Sequence, residues 1–172
     1  MILDYLYGFF ILIIGIISIL GGIKNVPADQ RLVVFRLGRP LETAKGPGLV
    51  FLLPILDRAI SIDLKEQVRE LPHDTATTKD FKAVSFAFRW HYQVLDPIRS
   101  VLEVSNHEVM TAGIASTKFR ELTREINSDD LTSERERIRY MVNSRLDEVT
   151  EQWGIKVTKF EIINITVDDH SK

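Results

Sequence analysis

The chain contains no cysteine, which removes disulfides, thiolate metal sites, cysteine nucleophiles and palmitoyl anchors together. Excess charge is also scarce, a net of −2 over 172 residues of which 27% are charged. That balance supplies no general field for nucleic acid, and 45% hydrophobic residues argue against disorder. Phosphate-binding glycine fingerprints are missing, because Gly46-Pro47-Gly48 is not followed by the Lys-Ser/Thr pair that holds phosphate and magnesium. The histidines at 73, 91, 107 and 170 are isolated and lack H-E-x-x-H spacing, so no metal-ligand set is assembled. His73-Asp74 is an adjacent pair without any G-x-S-x-G elbow to supply a nucleophile. These absences argue against an enzyme, and no catalytic, cofactor-binding or metal-binding residue is assigned.

What the sequence does have is one long apolar run. From Leu6 to Ile23 no charged residue occurs, and roughly 18 residues at ~1.5 Å each make a helix of ~27 Å, enough to cross a bilayer. Leu6, Phe9, Phe10, Ile14, Ile17, Leu20 and Ile23 are its expected transmembrane residues, with Tyr5, Tyr7, Phe9 and Phe10 crowded at the end where aromatic rings favour the headgroup level. The start carries Asp4 in place of a basic stretch, and no A-x-A site follows Gly21-Gly22, so an anchor is expected in preference to a cleaved signal peptide. Lys24, Arg31, Arg36, Arg39 and Lys45 lie beyond the run, against Asp4 before it, which places the folded part on the cytoplasmic side.

Beyond Pro27, alternation in Gln30 to Arg36 predicts a strand, and Lys45-Gly46-Pro47-Gly48 a turn. Short strands are expected at Ala59 to Leu64 and at Gln67 to Leu71, the latter ending at Pro72 before a polar connection from Thr75 to Lys79. The clearest period of two runs from Ala83 to Val94, with Val84, Phe86, Phe88, Trp90, Tyr92 and Val94 on one face. Val101 to Ile126 reads as a helix with apolar positions at Val109, Ile114, Phe119 and Leu122. Ser133 with Glu136 forms a capping-box pattern before Ile138, Met141, Val142, Leu146, Val149 and Trp153, and Gly154 suits the helix end. Ile155 to Val167 returns to strand composition, with an apolar phase shift between Val157 and Phe160 that predicts a bulge or a change of neighbours. Trp153, in phase with the helix, is expected to be a core anchor.

In this order the motifs Val33 to Arg39, Lys45-Gly46-Pro47-Gly48-Leu49, Pro54 with Asp57 and Asp63, Thr78-Lys79-Asp80, Asp96-Pro97, Ser133 to Glu136 and Trp153 to Val157 resemble the SPFH (band-7) domain of stomatins, prohibitins and flotillins. The stomatin or slipin branch is the most similar. The resemblance implies an α+β fold, a twisted and mainly antiparallel sheet with packed helices, preceded by one N-terminal transmembrane helix. Residues 1–25 would be the anchor, 26–167 the SPFH domain and 168–172 a polar tail. It also implies a homo-oligomeric scaffold that organises membrane microdomains and neighbouring membrane proteins, with the alternative of a non-catalytic regulator of a membrane protease. The expected partners are thus the lipid bilayer, further copies of the chain and membrane-protein clients, with no nucleic acid.

Arg36 and Arg39 flank a glycine turn that reads equally as a place where cations meet headgroups or as a solvated turn with ordinary surface arginines. The stretch Leu49, Val50, Phe51, Leu52, Leu53 is more apolar than a surface loop, and it is expected to divide between core and lipid. Glu134, Arg135, Arg137 and Arg139 read first as a solvated face of mixed charge, with an oligomer contact as the sharper expectation. Members of the family usually continue into an Ala/Glu-rich coiled coil after the last strand, whereas this sequence has only Asp168 to Lys172 after Val167; in a natural short form self-association would rest on the globular part and the anchor, and in a piece of a longer chain it would not.

Overall fold

In the computed structural model, which describes residues 7–10 and 22–168, five short strands lie within the first 64 residues. They are β1 (Ile23–Val26), β2 (Gln30–Arg36), β3 (Arg39–Pro40), β4 (Gly48–Phe51) and β5 (Asp57–Asp63). β1 pairs with β4, and β2 lies between β3 and β5, every pairing antiparallel. Leu32 exchanges both backbone hydrogen bonds with Lys45 at 2.8 Å, which ties the β3–β4 loop to the middle of β2. Val26 and Val50 face inward with Leu32 and Val34, and Leu41, Leu52 and Ala59 pack around them. Because side chains alternate along a strand, burying Val26 and Val50 turns Ile23, Leu49 and Phe51 to the opposite, exposed face.

Most of the expected transmembrane span, including Leu6, Ile14, Ile17 and Leu20, lies outside the described residues. Residues 7–10 are helical, with Tyr7, Phe9 and Phe10 exposed. No helix among the described residues is long and apolar enough to cross a membrane. At the far end of the span the expectation is corrected: Ile23 is the first residue of β1, opposite Phe51. Glycine at 22 is a poor helix former, and the Gly22 carbonyl accepts from the Leu52 N–H at 2.8 Å.

Residues 65–172 form a second unit. Its sheet has the order β6 (Gln67–Thr77), β7 (Ala83–Val94), β8 (Ile155–Asp168) and is antiparallel throughout. β7 buries Val84, Phe86, Phe88, Trp90, Tyr92 and Val94, as its period of two requires. Against this face pack α2 (His107–Thr123) and α3 (Arg135–Thr150), while α1 (Pro97–Leu102) follows β7 with Asp96 accepting from the Ile98 and Arg99 amides. Phe119 of α2 sits 4.2 Å from Phe86 and 5.2 Å from Phe88 between ring centres, and Phe160 of β8 reaches Phe88 at 5.0 Å. Small neighbours, Thr111, Ala115 and Ser116, let α2 approach closely on its buried side.

Several local expectations are corrected. The helix expected from Val101 to Ile126 is two helices, interrupted at Glu103 to Asn106, where Asn106 caps α2 through the Val109 amide. That register leaves Val109 exposed. β6 does not end at Pro72 but continues to Thr77, with a register shift between Leu71 and Asp74 that accommodates the proline. The Ser133–Glu136 capping box does not form: α3 opens at Arg135, and Ser133 Oγ donates to the Asp130 carbonyl instead. Gly154 does end the helical segment, at φ 68°, with Trp153 buried beside it. The bulge expected between Val157 and Phe160 is present at Thr158, and a second lies at Ile163.

Phe119→Ala is expected to cost about 3–5 kcal/mol of unfolding free energy, whereas Val109→Ala on the exposed side should stay within about 0.5 kcal/mol. Urea denaturation followed by circular dichroism measures both; equal losses would contradict this account of the core.

Candidate functional site

Two turns in the first unit put aliphatic side chains where small or polar residues are normally found. The β2–β3 hairpin turns through Leu37 and Gly38, both with positive φ (48° and 82°), a geometry usually supplied by Asn-Gly. Between β4 and β5 the sequence Leu53-Pro54-Ile55-Leu56 turns with Ile55 at φ 74°, in the position after proline where glycine is favoured. A left-handed conformation costs a non-glycine residue roughly 1–2 kcal/mol, and for branched Ile55 it is a true outlier. Neither side chain recovers that cost by burial: Leu37 is 76% exposed and Ile55 wholly so. The Leu37 N–H donates to the Leu56 carbonyl at 3.0 Å, so the two turns stand side by side.

One ion pair holds them there. Arg36 Nε donates to Asp57 Oδ1 at 2.7 Å and its Nη2 to Oδ2 at 2.9 Å. Oδ2 also accepts the Leu53 N–H at 2.8 Å, and the Asp57 side chain has no exposed surface. The Arg36 hydrogen bonds first, then the Leu53 amide, hold the carboxyl down at about 2 against a burial effect that would raise it. The same pair raises the Arg36 guanidinium above its ordinary value.

The expected membrane-surface residues separate on this frame. Leu49 is 80% exposed on the outer face of β4 with Phe51 and Ile23, and Arg39 is exposed in β3. Val50 is corrected to a core residue, since its neighbours in β4 point the other way. Leu52 is partly buried against the same core, Leu53 is half-buried, and Arg36 is committed to Asp57. Leu37, Ile55 and Leu56 were not expected; the available signal was Leu-Gly in a hairpin turn and Pro-Ile in a loop, both lacking the usual turn residue. The result is an apolar rim of Ile23, Leu37, Leu49, Phe51, Ile55 and Leu56. Exposing a single Leu or Ile instead of burying it forgoes ~1.5–3 kcal/mol, so the rim represents a considerable unused driving force.

In the second unit, the expected oligomer-contact residues are engaged within the chain. Glu134 pairs with Arg137 at 3.1 Å, Glu136 with Arg139 at 2.8 Å, and Arg135 Nη2 donates to the Ile162 carbonyl. The buried Tyr92 hydroxyl has two acceptors for its one proton, Gln67 Oε1 and Glu108 Oε1, each 3.0 Å away, and Arg69 joins Glu108 at 2.7 Å; this network fastens the start of α2 to the sheet. His107 lies 3.3 Å from the same hydroxyl, and burial lowers its pKa. Asp74, beside His73 in sequence, is bound by Arg120. Among the described residues no three histidine or carboxylate side chains gather to hold a metal.

The depressed Asp57 pKa gives this frame an acid limit. Its stabilising effect is complete above the ordinary value of 3.8 and is lost as pH falls through about 2. The Leu53 amide resonance should therefore titrate near pH 2, and in Arg36→Gln its midpoint should move up toward 3.8. A midpoint of 3.8 in the unaltered chain would contradict the ion-pair frame.

With the geometry described, the relatives can be compared. Residues 24–171 match the SPFH domain / Band 7 family. A stomatin homologue of Pyrococcus horikoshii is 37% identical over 155 residues, covering 90% of this chain and 58% of that protein. Mouse stomatin is 36% identical over 158 residues, 91% of this chain and 56% of its own length. Stomatin-1 of Caenorhabditis elegans is 36% identical over 149 residues, 87% and 45% respectively. The chain thus spans about half the length of these curated relatives. Matches over nearly all of this chain, together with the antiparallel sheets and packed helices, give one conclusion: the chain belongs to the SPFH domain / Band 7 family, among the stomatin homologues.

Proposed function

We propose that the chain is a non-catalytic, membrane-anchored scaffold that self-associates on a bilayer and organises lipids and membrane proteins around it. The apolar rim of the first unit carries this reading. Six large aliphatic or aromatic side chains are exposed there, and two of them occupy strained turn positions that no burial among the described residues offsets. Lipid supplies the missing burial.

The apolar run from Leu6 to Ile23 ends where β1 begins. An anchor at that point delivers the outer face of β1 and β4 to the headgroup level. Each rim contact alone is weak, so a ring of copies multiplies them through a raised effective concentration. The domain faces the cytoplasm if the downstream cations follow the positive-inside rule. Regulation of a membrane protease is an outcome that the following experiment separates from scaffolding.

Cross-linking of the full chain in native membranes, followed by denaturing electrophoresis, tests the assembly. A ladder of multiples of the 19.7 kDa chain is expected. Monomer alone contradicts self-association, and a stoichiometric protease cross-linked to monomer transfers the reading to a regulator.

A further inference from the structure

Beside the rim lie cations that have no direct ion pair among the described residues. Two shallow depressions lie on either side of the Arg36–Asp57 ion pair. One is lined by Arg36, Lys45, Leu49, Phe51 and Leu53. The other is lined by Leu37, Ile55, Leu56, Asp57 and Arg58. Each therefore combines aliphatic side chains with one cation, Lys45 or Arg58, that has no direct ion pair among the described residues. Arg39, directly opposite Arg36 across the β2–β3 pair, adds a third.

The local charge balance is one-sided. Asp57 is the single carboxylate lining either depression, and both of its oxygens are occupied by Arg36. Lys45 acts on Asp57 through space and lowers its pKa further, but one carboxylate cannot balance Arg36, Arg39, Lys45 and Arg58. Glu42, on the same loop as Lys45, lines neither depression. Residues 22–64 hold six Lys and Arg against four Asp and Glu, in a chain whose net charge is −2. Positive charge is thus concentrated on the unit that exposes the apolar rim.

Resting on the lipid-facing reading above, we propose that this surface selects bilayers containing anionic phospholipid. The headgroup phosphates sit against Lys45 and Arg58, and Leu37, Leu49 and Ile55 enter the acyl boundary between them. An acidic protein patch would satisfy the cations but would leave the convex aliphatic tips in water. A neutral bilayer would bury the tips but would leave the cations without counter-charge. Anionic lipid satisfies both, with guanidinium and ammonium as complementary phosphate donors.

The absence of cysteine permits a clean test on the full chain. Ile55→Cys carrying an environment-sensitive fluorophore is reconstituted into vesicles of phosphatidylcholine alone or with about one third phosphatidylglycerol. Emission is expected to shift to the lipid-like range with the anionic mixture and to return toward the aqueous range in about 0.5 M salt, where screening is strong. Adding Lys45→Gln and Arg58→Gln should lower the docked-to-undocked ratio about fivefold per cation, while Lys45→Arg with Arg58→Lys retains it. Circular dichroism confirms that each variant is folded. A lipid-like spectrum indifferent to composition, or unchanged by the neutral double variant, overturns the anionic selectivity alone. An aqueous spectrum with both lipid mixtures overturns it together with the lipid-facing reading.

Discussion

The buried Asp57 carboxylate is the constraint on which the first unit is organised. It accepts two bonds from Arg36 and one from the Leu53 amide, and so couples the end of β2, the start of β5 and the turn before β5. Removing one partner of a buried charge pair is costly because the other is left desolvated. The arrangement therefore resists local relaxation, and that resistance is what a strained turn needs in order to persist. Leu37 and Ile55 keep left-handed conformations because the residues beside them are fixed.

The two units distribute their apolar surface differently. In residues 65–172, the phenylalanines of β7, α2 and β8 form a closed aromatic cluster in which all four rings are buried. Several polar groups there are paired within the unit, Tyr92 with Glu108 and Asp80 with the Ser128 amide and hydroxyl, although the buried Asn143 Oδ1 and Thr150 Oγ1 are not. In residues 22–64 the core is small, built on Val26, Leu32, Val34 and Val50, and much aliphatic surface remains outside it. Residues 65–172 expose large side chains too, Phe81 at 90% and Tyr140 at 72% among them, but these are scattered along the sequence, whereas those of residues 22–64 fall on the paired strands β1 and β4 and on the two adjoining turns.

Much of the fold was legible in the sequence because single-residue periodicity reports burial directly. β7 alternates without interruption, and its six inward residues were identifiable from period two alone. The Thr158 bulge announced itself as a phase change in the apolar pattern, and Gly154 as the residue type that a left-handed helix end prefers. What the sequence concealed were choices between competing partners. Ser133 Oγ could accept from the Glu136 amide as a cap or donate to a carbonyl, and it donates to the Asp130 carbonyl. Pro72 was absorbed by a register shift, which only the pairing with β7 reveals. Val50 and Leu49 are indistinguishable by composition, and their opposite fates follow from the pairing of β4 with β1. Leu37 and Ile55 were hidden for a further reason: turn prediction looks for Asn and Gly, and their absence marks a place where another requirement has displaced local preference.

The central claim is the proposal that the rim of the first unit lies in lipid. Its most direct test is photo-cross-linking of the membrane-embedded full chain with a phospholipid bearing a reactive acyl group, mapped by mass spectrometry. The account predicts adducts on peptides containing Leu37 and Leu49 to Leu56, and none on α2, α3 or β7. Adducts confined to those helices and that strand, with the rim unlabelled, would contradict it.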